Sequence, residues 1–74
     1  MDGEINRRPV KSSCVSSVGY REDTHILEVE FKNGRIYRYL MVPQSVYEEL
    51  LGAASVGRFF SRRVKDVYPC VSLL

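Results

Sequence analysis

The sequence HILEVEFKNGRIYRYL at residues 25–40 decides the fold, because its pattern specifies a complete β-hairpin. Apolar residues alternate with Glu28 and Glu30, which is the period of a strand that has one dry and one wet face. The pair Asn33-Gly34 then provides a turn, and a second strand rich in tyrosine follows it. The other segments of the chain are therefore placed relative to this hairpin.

The register of the hairpin follows from its own chemistry. A two-residue turn would set Val29 opposite Arg38 and mix charge into the apolar face. A three-residue loop with Gly34 in the left-handed conformation at a bulge shifts the second strand by one residue, which turns all its side chains over. We favour this bulged register. It pairs Val29 with Tyr37, Leu27 with Tyr39 and Glu28 with Arg38, and it leaves Ile36 on the wet face.

The remaining segments complete an α+β fold in a single domain at residues 12–74. Ser13–Tyr20 is rich in β-branched and small residues and predicts a first strand, so that a three-stranded antiparallel meander precedes two helices packed on one face. Gly19 indicates a bulge or a close backbone approach. The apolar tail at residues 70–74 is suited either to a short edge strand or to packing against the core.

The two helices are delimited by capping signals. Pro43 suits a first helical turn, and Ser45 with Glu48 offers a capping box one turn later, so the start of the first helix stays ambiguous by about two residues. Ser55 is the N-cap expected for a second helix that runs to about Asp66. The apolar arc expected on that helix comprises Val56, Phe59, Phe60, Val64 and Val67. Arg63 also projects into this arc, and the sequence explains this only if its aliphatic stem lies along the apolar surface while the guanidinium reaches solvent.

Length and composition set further limits. A chain of 74 residues with 45% hydrophobic and 27% charged residues is expected to fold as one small domain. Residues 1–11 contain three basic residues and little apolar content, which predicts a flexible arm that adds nothing to the core. No apolar run approaches the roughly 20 residues that span a bilayer, and no signal-peptide core is present. We expect a cytoplasmic protein with no membrane partner.

Residues that carry chemistry are scarce. Cys14 and Cys70 form no CxxC pair, and with a single histidine, His25, there are too few ligands for a structural zinc site. We interpret the cysteines as free, partly buried thiols; a disulfide stays open if the terminal segments pair side by side. No nucleophile motif or carboxylate pair occurs. We therefore expect no metal, no cofactor and no enzymatic activity.

The order and spacing of one set of residues is distinctive: Gly19-Tyr20, Leu27–Phe31, Gly34, Tyr37-Arg38-Tyr39, Val42-Pro43, Val46-Tyr47, Leu50, Ser55, Gly57, Phe59-Phe60 and Tyr68-Pro69. In this set the chain resembles the KTSC domain family, which is named for the C-terminal region of lysyl-tRNA synthetases where some members occur. The resemblance covers most of the chain. It implies a small α+β domain, alone or appended to a synthetase, of unestablished function and a candidate for RNA binding. This chain looks like the stand-alone kind.

Basic residues define the candidate binding site. Residues 55–74 hold four Lys or Arg and one acidic residue, although the net charge is only +2. Arg58, Arg62 and Lys65 fall on one helix face, where Asp66 is placed to offset Arg62. The free amides at Ser55 and Gly57, together with Arg58, form a possible anion site at the helix N-terminus. The alternatives without a ligand are that the basic helix face is simply solvated and that Gly57 serves close packing of the helix.

Two functions are carried forward. The first is a nucleic-acid-binding module that contacts the RNA backbone through the second helix, Arg38 and the basic arm. The second is a protein-interaction or self-association module, which Ile36 on the wet face motivates. Tyr37 and Tyr39 would serve as a base-stacking platform only if they were exposed, and the bulged register instead turns both rings into the core.

Overall fold

Five strands form one antiparallel sheet in the computed structural model, which describes residues 4–73. Strands that are neighbours in the chain are neighbours in the sheet, in the order β1-β2-β3-β4-β5. The predicted α+β meander is confirmed, with one further strand at each edge. The strands are β1 (Arg8–Pro9), β2 (Val15–Arg21), β3 (Ile26–Phe31), β4 (Ile36–Tyr39) and β5 (Cys70–Ser72), and the helices are α1 (Gln44–Leu51) and α2 (Val56–Arg63).

The β3–β4 hairpin has the bulged register predicted from its sequence. Gly34 has a φ of 92°, and its amide donates to the carbonyl oxygen of Phe31 at 2.9 Å. The amide of Phe31 in turn donates to the carbonyl oxygen of Arg35 at 2.8 Å, so three residues form the loop. Leu27 lies opposite Tyr39, Glu28 opposite Arg38, Val29 opposite Tyr37 and Glu30 opposite Ile36.

The core lies between the helices and one face of the sheet, which we call the inner face. Leu27, Val29 and Tyr39 point into it from the hairpin, and Tyr37 is partly buried against it. Phe60 of α2 meets the Tyr39 ring edge-on, with 5.3 Å between ring centroids. The predicted inward orientation of the two hairpin tyrosines is therefore confirmed. The remaining core residues are Val15, Val18, Val42, Val46, Leu50, Val56 and Val64.

The helix ends differ in part from the prediction. Pro43 caps α1 without a side-chain hydrogen bond, so the capping box expected at Ser45 is wrong. Ser55 caps α2 as predicted, since its side chain accepts from the amide of Arg58 at 3.2 Å. The second helix ends at Arg63, three residues before the expected Asp66, where φ is 64°. Val67 therefore leaves the apolar arc and is 57% exposed.

The N-terminal segment lies on the outer face of the sheet. A Cβ atom at Gly19 would clash with the carbonyl oxygen of Asn6 and come within 2.9 Å of the Ile5 side chain. The close backbone approach predicted at Gly19 is thus present, and it lets Ile5 become 91% buried, since 9% remains exposed. The expectation that residues 1–11 add nothing to the core needs correction at Ile5. Residues 1–3 lie outside the described residues, and the flexibility of the segment stays a prediction.

The cysteines are free, but they are exposed rather than partly buried. Cys14 precedes β2, whereas Cys70 lies in β5 at the other side of the sheet, so the terminal segments do not pair with each other.

Replacing Gly34 with valine is expected to lower the free energy of unfolding by about 1–3 kcal/mol, because a β-branched residue resists a positive φ. No atom lies within 4 Å of a Cβ built at Gly34, so the loss would come from the backbone alone. Chemical denaturation measures it. Gly34→Asn is the control and should lose less, because asparagine tolerates positive φ; equal stabilities of the valine variant and the wild type would refute the bulged loop.

Burial raises the pKa of Tyr39 to about 12 from 10.0, and Cys70, Tyr37 and Asp66 add to the shift. Because the folded state holds this proton more tightly than the unfolded chain does, the contribution to stability is complete below pH about 10 and is lost as pH rises towards about 12. Denaturation of wild type and Tyr39→Phe at both ends of this range tests the effect. The difference in stability between the two proteins should shift against the wild type at the alkaline end; a pH-independent difference would contradict it.

Candidate nucleic-acid interface

The second helix presents its basic side chains to solvent because its apolar side is fixed in the core. Val56 and Phe60 are buried, which sets the rotation of the helix about its axis. Arg58 and Arg62, separated by one helical turn, are then exposed on the opposite side. The helical period alone predicted this arrangement, and the two guanidinium groups share one surface.

A groove of about 330 Å³ runs along this surface, between α2 and the turn that joins the two helices. Three arginines contribute to it, and the ring of Phe59 is the apolar part of its wall. The groove therefore combines positive charge with one aromatic face. We call it the basic groove; its lining residues are Ala53, Ala54, Ser55, Arg58, Phe59, Arg62 and Arg63.

Arg63 belongs to this groove, which the sequence did not predict. Its guanidinium carbon lies 5.0 Å from the centroid of the Phe59 ring, and its Nη1 lies 3.1 Å from Oε1 of Glu49 on α1. The cation–π contact explains why an arginine projects into an apolar arc. The i, i+4 spacing of Phe59 and Arg63 could have predicted the cation–π contact from sequence. The ion pair with Glu49 could not be predicted in this way, because it joins two different helices.

Arg58, Arg62 and Lys65 differ from Arg63 because no acidic group among the described residues lies within ion-pair distance of them. The ion pairs within residues 4–73 involve other basic residues. Asp66, which was expected to offset Arg62, lies beyond the end of α2 and lines a different cavity with Lys65. Arg58 and Arg62 therefore form a positive patch on the described surface of α2, whereas Lys65, predicted on the same helix face, lies beyond the end of the helix at the other cavity.

The predicted anion site at the start of α2 is occupied by contacts of the protein itself. The Ser55 hydroxyl already accepts from the Arg58 amide. Gly57 packs against the loop before β2, where an added Cβ would meet Cys14 Sγ at 3.0 Å and Ser12 Oγ at 3.4 Å. The guanidinium of Arg58 remains exposed, and anion binding at Ser55, Gly57 and Arg58 stays a prediction.

Arg38 lies on the outer face, away from the basic groove. Its Nε donates to Oε1 of Glu28 at 2.7 Å, and Arg7 contacts the other carboxylate oxygen of Glu28. Glu28 is only 3% exposed, so two arginines enclose one buried carboxylate. Arg7 also donates to Ser17 at 3.1 Å. Sequence reasoning grouped Arg38 with the helix residues and missed Arg7, because this cluster joins segments far apart in the chain.

Other residues offer little chemistry. His25 is exposed, and its Nδ1 lies 3.1 Å from the Tyr20 hydroxyl. Within the described part of the chain, no three His, Cys, Asp or Glu residues are grouped so that they could hold a metal ion. The helices found between residues 4 and 73 are too short and too polar to span a bilayer. The cytoplasmic location stays a prediction.

Sequence comparisons identify relatives over most of the chain. An uncharacterised protein from Stutzerimonas stutzeri is 44% identical over 61 residues, which cover 82% of this chain and 86% of that protein. A protein from Tsukamurella paurometabola is 39% identical over 66 residues, which cover 89% and 98%. The lysine–tRNA ligase of Nostoc punctiforme is 36% identical over 58 residues, which cover 78% of this chain but only 10% of the ligase.

The structural comparison agrees with the sequence comparison. The crystal structure of a KTSC domain protein from Yersinia pestis superimposes with a TM-score of 0.90 at 36% identity, and it covers 96% of this chain and 100% of that one. The family model of the KTSC domain matches residues 11–68. The small domain also occurs within lysine–tRNA ligases. This chain therefore belongs to the KTSC domain family.

Proposed function

We propose that the protein is a non-catalytic binding module that contacts the phosphate backbone of RNA through the basic face of α2. The observation that carries the proposal is the exposure of Arg58, Arg62 and Lys65 without an ion-pair partner among residues 4–73. Charges left exposed in this way attract a polyanion, and phosphates release counterions when they meet arginine or lysine. Phe59 in the basic groove adds an aromatic face of the kind that single strands use.

The occurrence of the domain in lysine–tRNA ligases supports an RNA partner, because those proteins are named for a tRNA substrate. The match covers 10% of the ligase, so the domain is an appendage to it and not the ligase itself. An appended module that holds RNA loosely would suit a protein that must also release it. A site made of flexible cationic side chains is expected to contact the RNA backbone more than the bases.

The proposal assigns binding rather than catalysis to the basic groove. Its lining consists of cations, alanines, one ring and Ser55, and the hydroxyl of Ser55 already caps the helix. A positive groove of this composition can hold an anion, but the described lining contains no pair of groups suited to accept and donate a proton. We propose a cytoplasmic location on the same grounds, since RNA is the partner.

The double variant Arg58→Glu/Arg62→Glu is expected to lose RNA binding in a fluorescence-anisotropy titration with single-stranded and duplex RNA at about 50 mM salt. Each lost phosphate contact should lower the magnitude of the slope of log affinity against log salt by about 0.7 for single strands. The matched control is Lys32→Glu/Arg35→Glu, which makes the same change in charge at the exposed hairpin loop. If the two double variants had equal effects, or if the wild type bound no RNA, the basic groove would be rejected as an RNA-binding site.

A second candidate function is self-association through the outer face. Ile36 and Val71 lie on this face, because they pair with Glu30 and Arg38 respectively. Leu73 joins them through the hydrogen bond from its amide to the carbonyl oxygen of Ile36. Val71 is 47% exposed and Leu73 is 43% exposed, so three apolar side chains line one exposed strip beside β5. Exposed apolar strips at a sheet edge favour contact between copies.

Replacing Ile36 with lysine tests this candidate. If the strip mediates association, the apparent mass of the wild type in light scattering should rise with concentration towards twice the monomer mass, and Ile36→Lys should stay monomeric. Met41→Lys is the control, since Met41 is 68% exposed but lies outside the strip. A wild type that stays monomeric at all concentrations would remove self-association from consideration.

A further inference from the structure

A second cavity lies beyond the end of α2, between the helix and the inner face of the hairpin. It has a volume of about 290 Å³, and aromatic rings dominate its lining. Pockets for drug-sized ligands usually occupy about 300–1,000 Å³, so this one suits a single planar ring system rather than a larger molecule. The rings belong to Phe31, Tyr37, Tyr39 and Phe60.

The four rings hold one another in fixed positions. The Phe60 ring meets Phe31 and Tyr39 edge-on, with centroid distances of 5.3 Å in both pairs and interplanar angles of 70° and 77°. Tyr37 completes the set at 5.9 Å from Phe31 and at 6.4 Å from Tyr39. Tyr39 and Phe60 are each 5% exposed, whereas Phe31 and Tyr37 are only partly buried. Phe31 and Tyr37 therefore keep part of their surface accessible at the cavity, within an aromatic cluster whose rings contact one another.

Two charged residues lie at the same cavity, Lys65 and Asp66. The chain leaves α2 after Arg63, and the φ of 64° at Asp66 turns it towards β5. The amide of Lys65 still donates to the carbonyl oxygen of Phe60 at 2.9 Å, which ties this turn to the aromatic cluster. The cavity thus combines ring faces, one cation and one acceptor-only carboxylate.

We propose that this cavity binds one unpaired guanine base of an RNA strand, a proposal that rests on the phosphate contacts proposed above for α2. The base stacks on the accessible ring of Tyr37, as bases stack on aromatic side chains in single-strand sites. Asp66 accepts hydrogen bonds from the two neighbouring donors on the guanine edge, N1–H and the N2 amino group. Lys65 lines the cavity beside Asp66, which places its ammonium group to contact the phosphate of the nucleotide whose base enters.

The charges distinguish a base from other planar or cationic guests. An aromatic cavity with a carboxylate could also attract a quaternary ammonium group through cation–π contacts. Lys65 opposes that guest by repulsion, whereas it favours the phosphate that comes with a nucleotide.

The test compares two RNA strands of about six nucleotides, one with a single guanine and one with an abasic residue in its place, at about 50 mM salt. The guanine strand should bind more tightly, and Tyr37→Leu should weaken its binding by roughly five- to 140-fold, the range that one stacked base gives. Tyr37→Phe keeps the ring and should bind like the wild type. Tyr47→Leu removes a ring that stacks on Tyr20 outside the cavity and is the matched control.

Asp66→Asn separates base recognition from stacking, because asparagine tolerates the positive φ at this position. It should reduce the ratio of guanine-strand to adenine-strand affinity, and any gain in affinity from the lost negative charge should be equal for all strands, including the abasic one. Equal binding of guanine and abasic strands, or an unaffected Tyr37→Leu, would overturn the guanine site even if Arg62→Glu still abolished binding, which would leave the proposed backbone contact standing.

A wild-type protein that binds no strand would remove the backbone proposal, and guanosine monophosphate then tests the cavity alone. Shifts of the Lys65 and Asp66 amide signals in nuclear magnetic resonance titrations with this nucleotide would support the guanine site. Signals that do not move, or that move only with a tetramethylammonium salt, would overturn it.

Discussion

The positive φ at Gly34 is the constraint on which the rest of the structure depends. It permits a three-residue loop, and the loop offsets β4 against β3 by one residue. Because side chains alternate along a strand, this offset decides which half of β4 faces the helices. Tyr37 and Tyr39 turn to the inner face, and Arg38 turns to the outer face beside Glu28. The aromatic cavity and the buried carboxylate are both consequences of one glycine conformation.

Contacts on the outer face attach the described part of the N-terminal segment to the sheet. Glu28 is buried, and Arg7 and Arg38 contact its carboxylate from two directions. Gly19 leaves the space through which the segment passes, and Ile5 covers the sheet there. Arg7 links the segment to Glu28 of β3, although desolvation offsets much of the attraction within such a buried cluster.

Local rules predicted most of the fold, and long-range contacts account for the errors. The register followed from turn chemistry and from the pairing of Glu28 with Arg38, both of which are visible within sixteen residues of sequence. The basic face of α2 followed from helical period. In contrast, the contact of Arg7 with Glu28 joins residues 21 positions apart, and no periodicity signals it. The early end of α2 was missed because the residue that ends the helix, Val64, is neither glycine nor proline and so gives no stop signal in the sequence.

The net charge of the chain is only +2, but the fold distributes the charged side chains unevenly between the sheet and the helices. On the outer face, Arg7 lies within ion-pair distance of both Glu28 and Glu30, and Arg38 also contacts Glu28, so two positive charges meet two negative ones. Their fields largely cancel within the Debye length of about 8–10 Å. Arg63 of α2 pairs with Glu49, but Arg58 and Arg62 have no ion-pair partner among the described residues, so the excess positive charge lies on the helix layer. The sheet thus separates the paired charges of its outer face from the basic groove, so they do not neutralise the positive charge of the groove.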